Sequence, residues 1–173
     1  PKMGTTNINN GTITNKVNVQ LYLNENCSEA MNINDFVSGM TVDVEDLMVT
    51  KEKGAIAGIS NILINHLNKL PLSRRPLWCS DKKRKRLYIK DEVWLEDRDN
   101  LKTKEAIYNI SKMQTRNLTK YIADKPNWLN NESQKDEYML IVRAATESMH
   151  DRTEKVIDKI LNEISFTENK QYI

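Results

Sequence analysis

The spacing of apolar residues changes several times along the chain. Between 12 and 23 it alternates. Ile13, Val17, Val19, Leu21 and Leu23 share one face of an extended segment, while Thr12, Thr14, Lys16, Asn18, Gln20 and Tyr22 share the other. A period of two predicts a half-buried strand. Asn10-Gly11 suits a two-residue hairpin turn just before it, because both central positions need positive φ. Few large side chains precede Val17. Such a hairpin is marginal alone and gains stability if its edges pair with another chain.

From Ser28 onward the period lengthens to that of helices. Asn34 is placed to cap a turn carrying Phe36 and Val37, with Gly39 ending it, and Asp43 to cap a second that turns Leu47 and Met48 inward. Ile56, Ile59, Leu63, Leu67 and Leu70 form one stripe over 54–70, which Pro71 stops. Two short β-prone runs, Leu77-Trp78-Cys79 and Leu87-Tyr88-Ile89, then flank a basic turn, and Val93-Trp94-Leu95 is placed to add a third strand. Over 100–122 the helical period returns with Leu101, Ile107, Ile110, Met113, Leu118, Tyr121 and Ile122, and Pro126 closes that section.

Asn131 or Ser133 caps a last helix predicted over 132–164. Tyr138, Val142, Ala145 and Met149 follow a four-three-four spacing; after the polar His150, Asp151 and Arg152, the stripe resumes at Thr153, Ile157, Ile160 and Ile164. Such a seam packs on its own domain or on a partner helix. The phase jump near Arg152 marks a stutter or a break. The predicted fold is α+β. It is a predominantly helical domain with an N-terminal β-strand or hairpin segment and a small central β-hairpin, ending in a long C-terminal helix. Residues 1–24 form the N-terminal β segment, 25–130 the core domain, and 131–173 the long helix and tail.

Composition narrows the function. Hydrophobic residues make up 39% and charged residues 29% of the 173, which suits a globular domain. The net charge of +2, from 26 basic and 24 acidic residues, gives no global attraction to nucleic acid, so any such binding rests on a local patch. No apolar run approaches the roughly 18 residues of a membrane span, and no signal peptide stands out. A membrane partner is therefore not expected. Two cysteines argue against a disulfide framework and for a reducing, intracellular compartment. The chain begins with Pro1, so a part upstream is expected.

The densest local chemistry is the run Lys82, Lys83, Arg84, Lys85 and Arg86. Five consecutive cations suit phosphate contact or nuclear targeting, or else a solvated turn that discourages edge pairing. Arg74 and Arg75 widen the patch if they lie nearby. No aromatic residue interrupts the run, so base stacking is not indicated. Asp81-Lys82-Lys83 reads as Asp-x-Lys, a pair that metal-dependent nucleases use, with Asp43 or Glu45 as candidates for the second carboxylate. Cys27, His66, Cys79 and His150 are scattered without the close pair that begins a structural zinc site. No metal, cofactor or catalytic residue is assigned. Trp78, Tyr88, Trp94 and Trp128 are expected as core anchors.

Several segments also resemble a known group. NINNGTITNKVNVQLYLNENCSEAMNINDFV and GISNILINHLNKLPLSRRPLWCSDKKRKRLYIKDEVW are similar to two blocks of a family of uncharacterised proteins from giant and algal DNA viruses, and KPNW and DEYMLIV fit its usual ending. The resemblance spans 7–142, with 75–94 its most specific part. In that family a Cys/His zinc finger, and sometimes a coiled coil, lies upstream. The resemblance implies a C-terminal module of such a protein, in the host cytoplasm, viral factory or nucleus, or in the virion. It carries no catalytic residues. The basic run is heavier than the family's usual one, and the helix beyond Met149 is an extension.

These readings converge on a non-catalytic module that forms homo-oligomers. Ile13, Val17, Val19, Ile157, Ile160 and Ile164 are the expected interface. The alternative is a nucleic-acid-binding domain acting through Arg74, Arg75 and the turn at 82–86, and after that a metal-dependent nuclease.

Overall fold

The computed structural model describes residues 19–165. Among them the chain forms seven α-helices around a three-stranded antiparallel sheet. The α+β class and the dominance of helix are as the apolar spacing predicts. The N-terminal hairpin at Asn10-Gly11, with Ile13 and Val17, lies outside the described residues.

The sheet consists of β1 (Leu77–Asp81), β2 (Arg86–Lys90) and β3 (Trp94–Glu96), in the order β1-β2-β3. Leu77 pairs with Ile89, Trp78 with Tyr88 and Cys79 with Leu87. Because side chains alternate across a strand, this register sends Leu77, Cys79, Leu87 and Ile89 to one face and Trp78 and Tyr88 to the other. The first face joins the main core. The second, with Trp94, packs on Leu23, Cys27 and Ala30. Both faces are thus buried around the paired residues, which is why Leu77-Trp78-Cys79 and Leu87-Tyr88-Ile89 are apolar at every position. The free edge of β1 is met by the chain itself: Cys79 N–H donates to the Ile164 carbonyl at 2.6 Å, and Cys79 bridges to Ser165.

The alternation at 17–23 predicts a strand, yet Val19–Asn26 is a helix, α1. Val19, Leu23 and Cys27 recur every four residues, and this spacing presents them together to the aromatic face of the sheet. A strand would have turned Leu21 inward; it is 54% exposed. Tertiary burial decides between the two periods. The Trp94 indole N–H donates to the Cys27 carbonyl, and the Gln20 amide donates to the Trp94 carbonyl, so α1 is tied to β3.

Helices α2 (Ile33–Ser38), α3 (Val44–Lys53) and α4 (Ala55–Asn68) follow. Asn32 caps α2, two residues before the expected Asn34. Asp43 caps α3 in a reciprocal box with Asp46. Gly54 joins α3 to α4 at φ 83, a left-handed conformation that a side chain would strain. Helix α5 (Leu101–Ala123) packs against α2, α3, α4, α6 and α7 and sends Ala106, Ile107 and Ile110 into the main core.

The C-terminal helical region is divided. Helix α6 (Glu132–Ala145), capped by Asn131, and α7 (Thr153–Ile160) are separated at 146–152, where the phase of the apolar stripe jumps. Helix α6 buries Ile141 and Ala145 in a cluster with Leu47, Leu118 and Tyr121. Past the break, α7 turns Val156, Ile157 and Ile160 into the main core, joined by Ile164. The seam expected to meet sister subunits is covered by its own domain. Ile157, Ile160 and Ile164 have no accessible surface, so they are core and not interface. Val19, the other described member of that set, is half-buried at the start of α1, against the aromatic face of the sheet.

Candidate functional site

The β1–β2 turn carries the five cations, and its shape is set locally. Asp81 accepts from the Arg84 backbone N–H at 3.0 Å and from its guanidinium at 3.1 Å, and Lys85 takes positive φ to close the turn. The backbone N–H of Arg84, first among several donors, holds the Asp81 carboxyl below its usual range. Asp81 is therefore engaged as an acceptor that shapes the turn. Asp43, one candidate partner for it, is committed to capping α3.

Carboxylates from elsewhere in the fold meet Lys85 and Arg86, two of the remaining four cations. Lys85 Nζ lies 2.7 Å from Asp158 and 3.3 Å from Glu154, both on α7. Glu154 also holds Lys104 of α5 at 2.7 Å. Arg86 pairs with Glu96 on the neighbouring strand at 2.6 Å, and Lys82 donates to the Asn162 side chain at 3.1 Å. Asp158 leads in raising the Lys85 ammonium above its ordinary range, and Lys104 leads in lowering the Glu154 carboxyl. The run is thus largely neutralised by Asp81, Glu96, Glu154 and Asp158. Lys83 is exposed, and the Arg84 side chain, although paired, is 85% exposed. Charges already satisfied within the fold make a weaker phosphate site than the bare run suggests.

Beside the turn lies an open groove of about 640 Å³, lined among others by Arg84, Arg86, Glu96, Arg98, Lys104 and Glu154. Asp99 and Asn100, consecutive at φ 55, also line it. Buried Asp97 accepts from the backbone N–H groups of Lys102 and Thr103 and from the Thr103 hydroxyl, which caps α5. Among the described residues the lining holds no serine, cysteine or histidine to act as nucleophile or base.

Arg74 and Arg75 precede β1, whereas the basic turn follows it, although Arg75 and Lys82 both reach the segment at 162–163, on the Glu163 carbonyl and the Asn162 side chain. Arg75 is also structural: its guanidinium donates to the carbonyls of Leu70 and Glu163 and to the Asn68 side chain. Burial lowers its pKa. Cys27 and Cys79 sit in different core clusters, and burial raises both thiols. The His66 Nδ1 lies 2.9 Å from the Ile62 carbonyl of its own helix, while His150 is exposed. Among the described residues no cluster of three or more His, Cys, Asp or Glu side chains is placed to hold a metal ion. Nor is any helix among them long and apolar enough to cross a membrane.

A second surface lies on α6. Helix α6 carries two stripes. Tyr138, Ile141, Val142 and Ala145 face the domain, while Asp136, Met139, Leu140 and Arg143 face water. Met139 is 63% and Leu140 58% exposed. The outer four follow i, i+3, i+4, i+7, the spacing of a packed helix face. The run Tyr138-Met139-Leu140-Ile141-Val142 held the signal, because five consecutive apolar residues wrap a helix too far for one core to cover.

No protein-family model matches the chain, and no curated protein and no solved structure matches it either.

Proposed function

We propose that this chain is a non-catalytic interaction module that associates with copies of itself. The observation that supports this most is the outer face of α6, which leaves Met139 and Leu140 side by side in water while the helix's inner face is already packed. Two large apolar side chains side by side on the outer face of a helix form a patch that a partner would cover. The groove beside the basic turn supports catalysis poorly, since its charges neutralise one another. In a parent of the kind this chain resembles, with a zinc finger upstream, self-association raises avidity for DNA without new contacts.

The test is molecular mass against concentration, by sedimentation equilibrium from micromolar to millimolar. Self-association predicts a rise above the 20.1 kDa of one chain. A mass that stays there throughout refutes it.

A further inference from the structure

We infer that α6 packs antiparallel on α6 of a second copy, with Asp136 of each copy facing Arg143 of the other. This deepens the self-association reading and rests on it. The inference comes from the order of charges along the exposed stripe. Asp136 and Arg143 stand at its two ends, three and a half residues on either side of the midpoint between Met139 and Leu140. At 1.5 Å per residue they are separated by about 10 Å along the axis, too far to pair within one helix. Among the described residues neither has an ion-pair partner.

A two-fold axis through that midpoint, perpendicular to both helices, reverses one helix against the other. Position 136 of one copy then stands level with 143 of the other, and both ends of the stripe become opposite-charge pairs. Met139 and Leu140 of each copy meet their counterparts in the centre, where they cover one another from water. A parallel arrangement in register would set Asp136 on Asp136 and Arg143 on Arg143, and like charges so placed are repelled. The stripe is therefore complementary to itself in one orientation. A surface that is its own complement under a two-fold is the requirement for a closed dimer. A single pair of helices of this length buries less than the roughly 1,000 Å² of a durable interface, so the dimer is of the weak, exchanging class.

Charge reversal tests this without disturbing the core, since both side chains are exposed. Asp136→Arg alone and Arg143→Asp alone each place like charges at both ends. Each is expected to weaken self-association by roughly tenfold or more. Mixing the two variants one to one restores opposite charges at both ends of a mixed pair, because one variant is basic at both positions and the other acidic at both. The mixture therefore regains a dimer that neither variant forms alone. Circular dichroism of each variant establishes that it is folded. If wild type dimerises and the single variants dimerise equally well, or the mixture gains nothing, the interface is wrong and self-association stands. A wild type that is monomeric at every concentration overturns both. It leaves the face to another occupant, such as the chain's own segments outside 19–165 or a different protein.

Discussion

Gly58 sets how closely α3 and α4 approach. A Cβ there would lie 2.0 Å from the Thr50 hydroxyl and 3.0 Å from the Thr50 Cα, so backbone as well as side chain must yield. Thr50 cannot turn away freely, because its hydroxyl donates to the Asp46 carbonyl and accepts from the Gln114 amide at 2.5 Å. Gly58→Ala is expected to cost about 1–3 kcal/mol, read as a lower urea midpoint. Glu137 is the other residue on which several elements depend. Lys51 of α3, then the Tyr121 hydroxyl and Lys125, donate to its carboxylate and hold its pKa at about 2 instead of 4.5. A carboxyl depressed in the folded state stabilises fully above its unfolded value and loses that stabilisation as pH falls from 4.5 towards about 2. The side chain is 36% exposed, so solvent screening limits the contribution to roughly 1 kcal/mol. The stability gap between wild type and Glu137→Gln should therefore shrink between those two pH values; a gap independent of pH would refute the role. Asp43, Asn131 and Pro71 declare their capping and stopping roles in the sequence, because each acts on its nearest neighbours. Gly58 and Glu137 do not, because their partners come from other helices.

At the scale of elements, tertiary packing decides where the local period leaves a choice. In 19–23 the apolar residues satisfy a period of two and also a period of four, and only the aromatic sheet face at Trp78, Tyr88 and Trp94 selects the helix. In 132–164 the phase jump near Arg152 leaves a stutter or a break open, and the chain breaks at 146–152 because the two halves of the stripe serve different clusters. The basic hairpin was legible as an element and not as a site, since Glu154 and Asp158 lie about seventy residues from it in sequence. Those two carboxylates restrain the turn's affinity for polyanions. Replacing them by Glu154→Gln and Asp158→Asn frees Lys85 and Lys104. Binding to duplex DNA should then tighten, and the dependence of log affinity on log salt should steepen by about one to two. Fluorescence anisotropy over a salt series measures both; an unchanged slope would show that these cations do not reach phosphate.

For the whole molecule, three apolar clusters account for most strong hydrophobic positions in the described chain, including Ile157, Ile160 and Ile164, the isoleucines expected at a subunit interface. Among the large apolar residues left exposed, Met139 and Leu140 stand next to each other on one helix, flanked by Asp136 and Arg143. Self-association is therefore argued from surface left over after the core is filled, which composition alone does not reveal. The proposed two-fold makes a geometric demand. With helix axes 8–10 Å apart, the Cα atoms of Leu140 in the two copies fall roughly 6–7 Å apart, within reach of a disulfide. Leu101, 64% exposed at the start of α5, is a matched control outside that interface. The most direct measurement is oxidative cross-linking of Leu140→Cys beside Leu101→Cys at equal concentration, with the native thiols buried. The account predicts rapid formation of a covalent dimer through position 140 and little through 101. Equal rates at the two positions would contradict it.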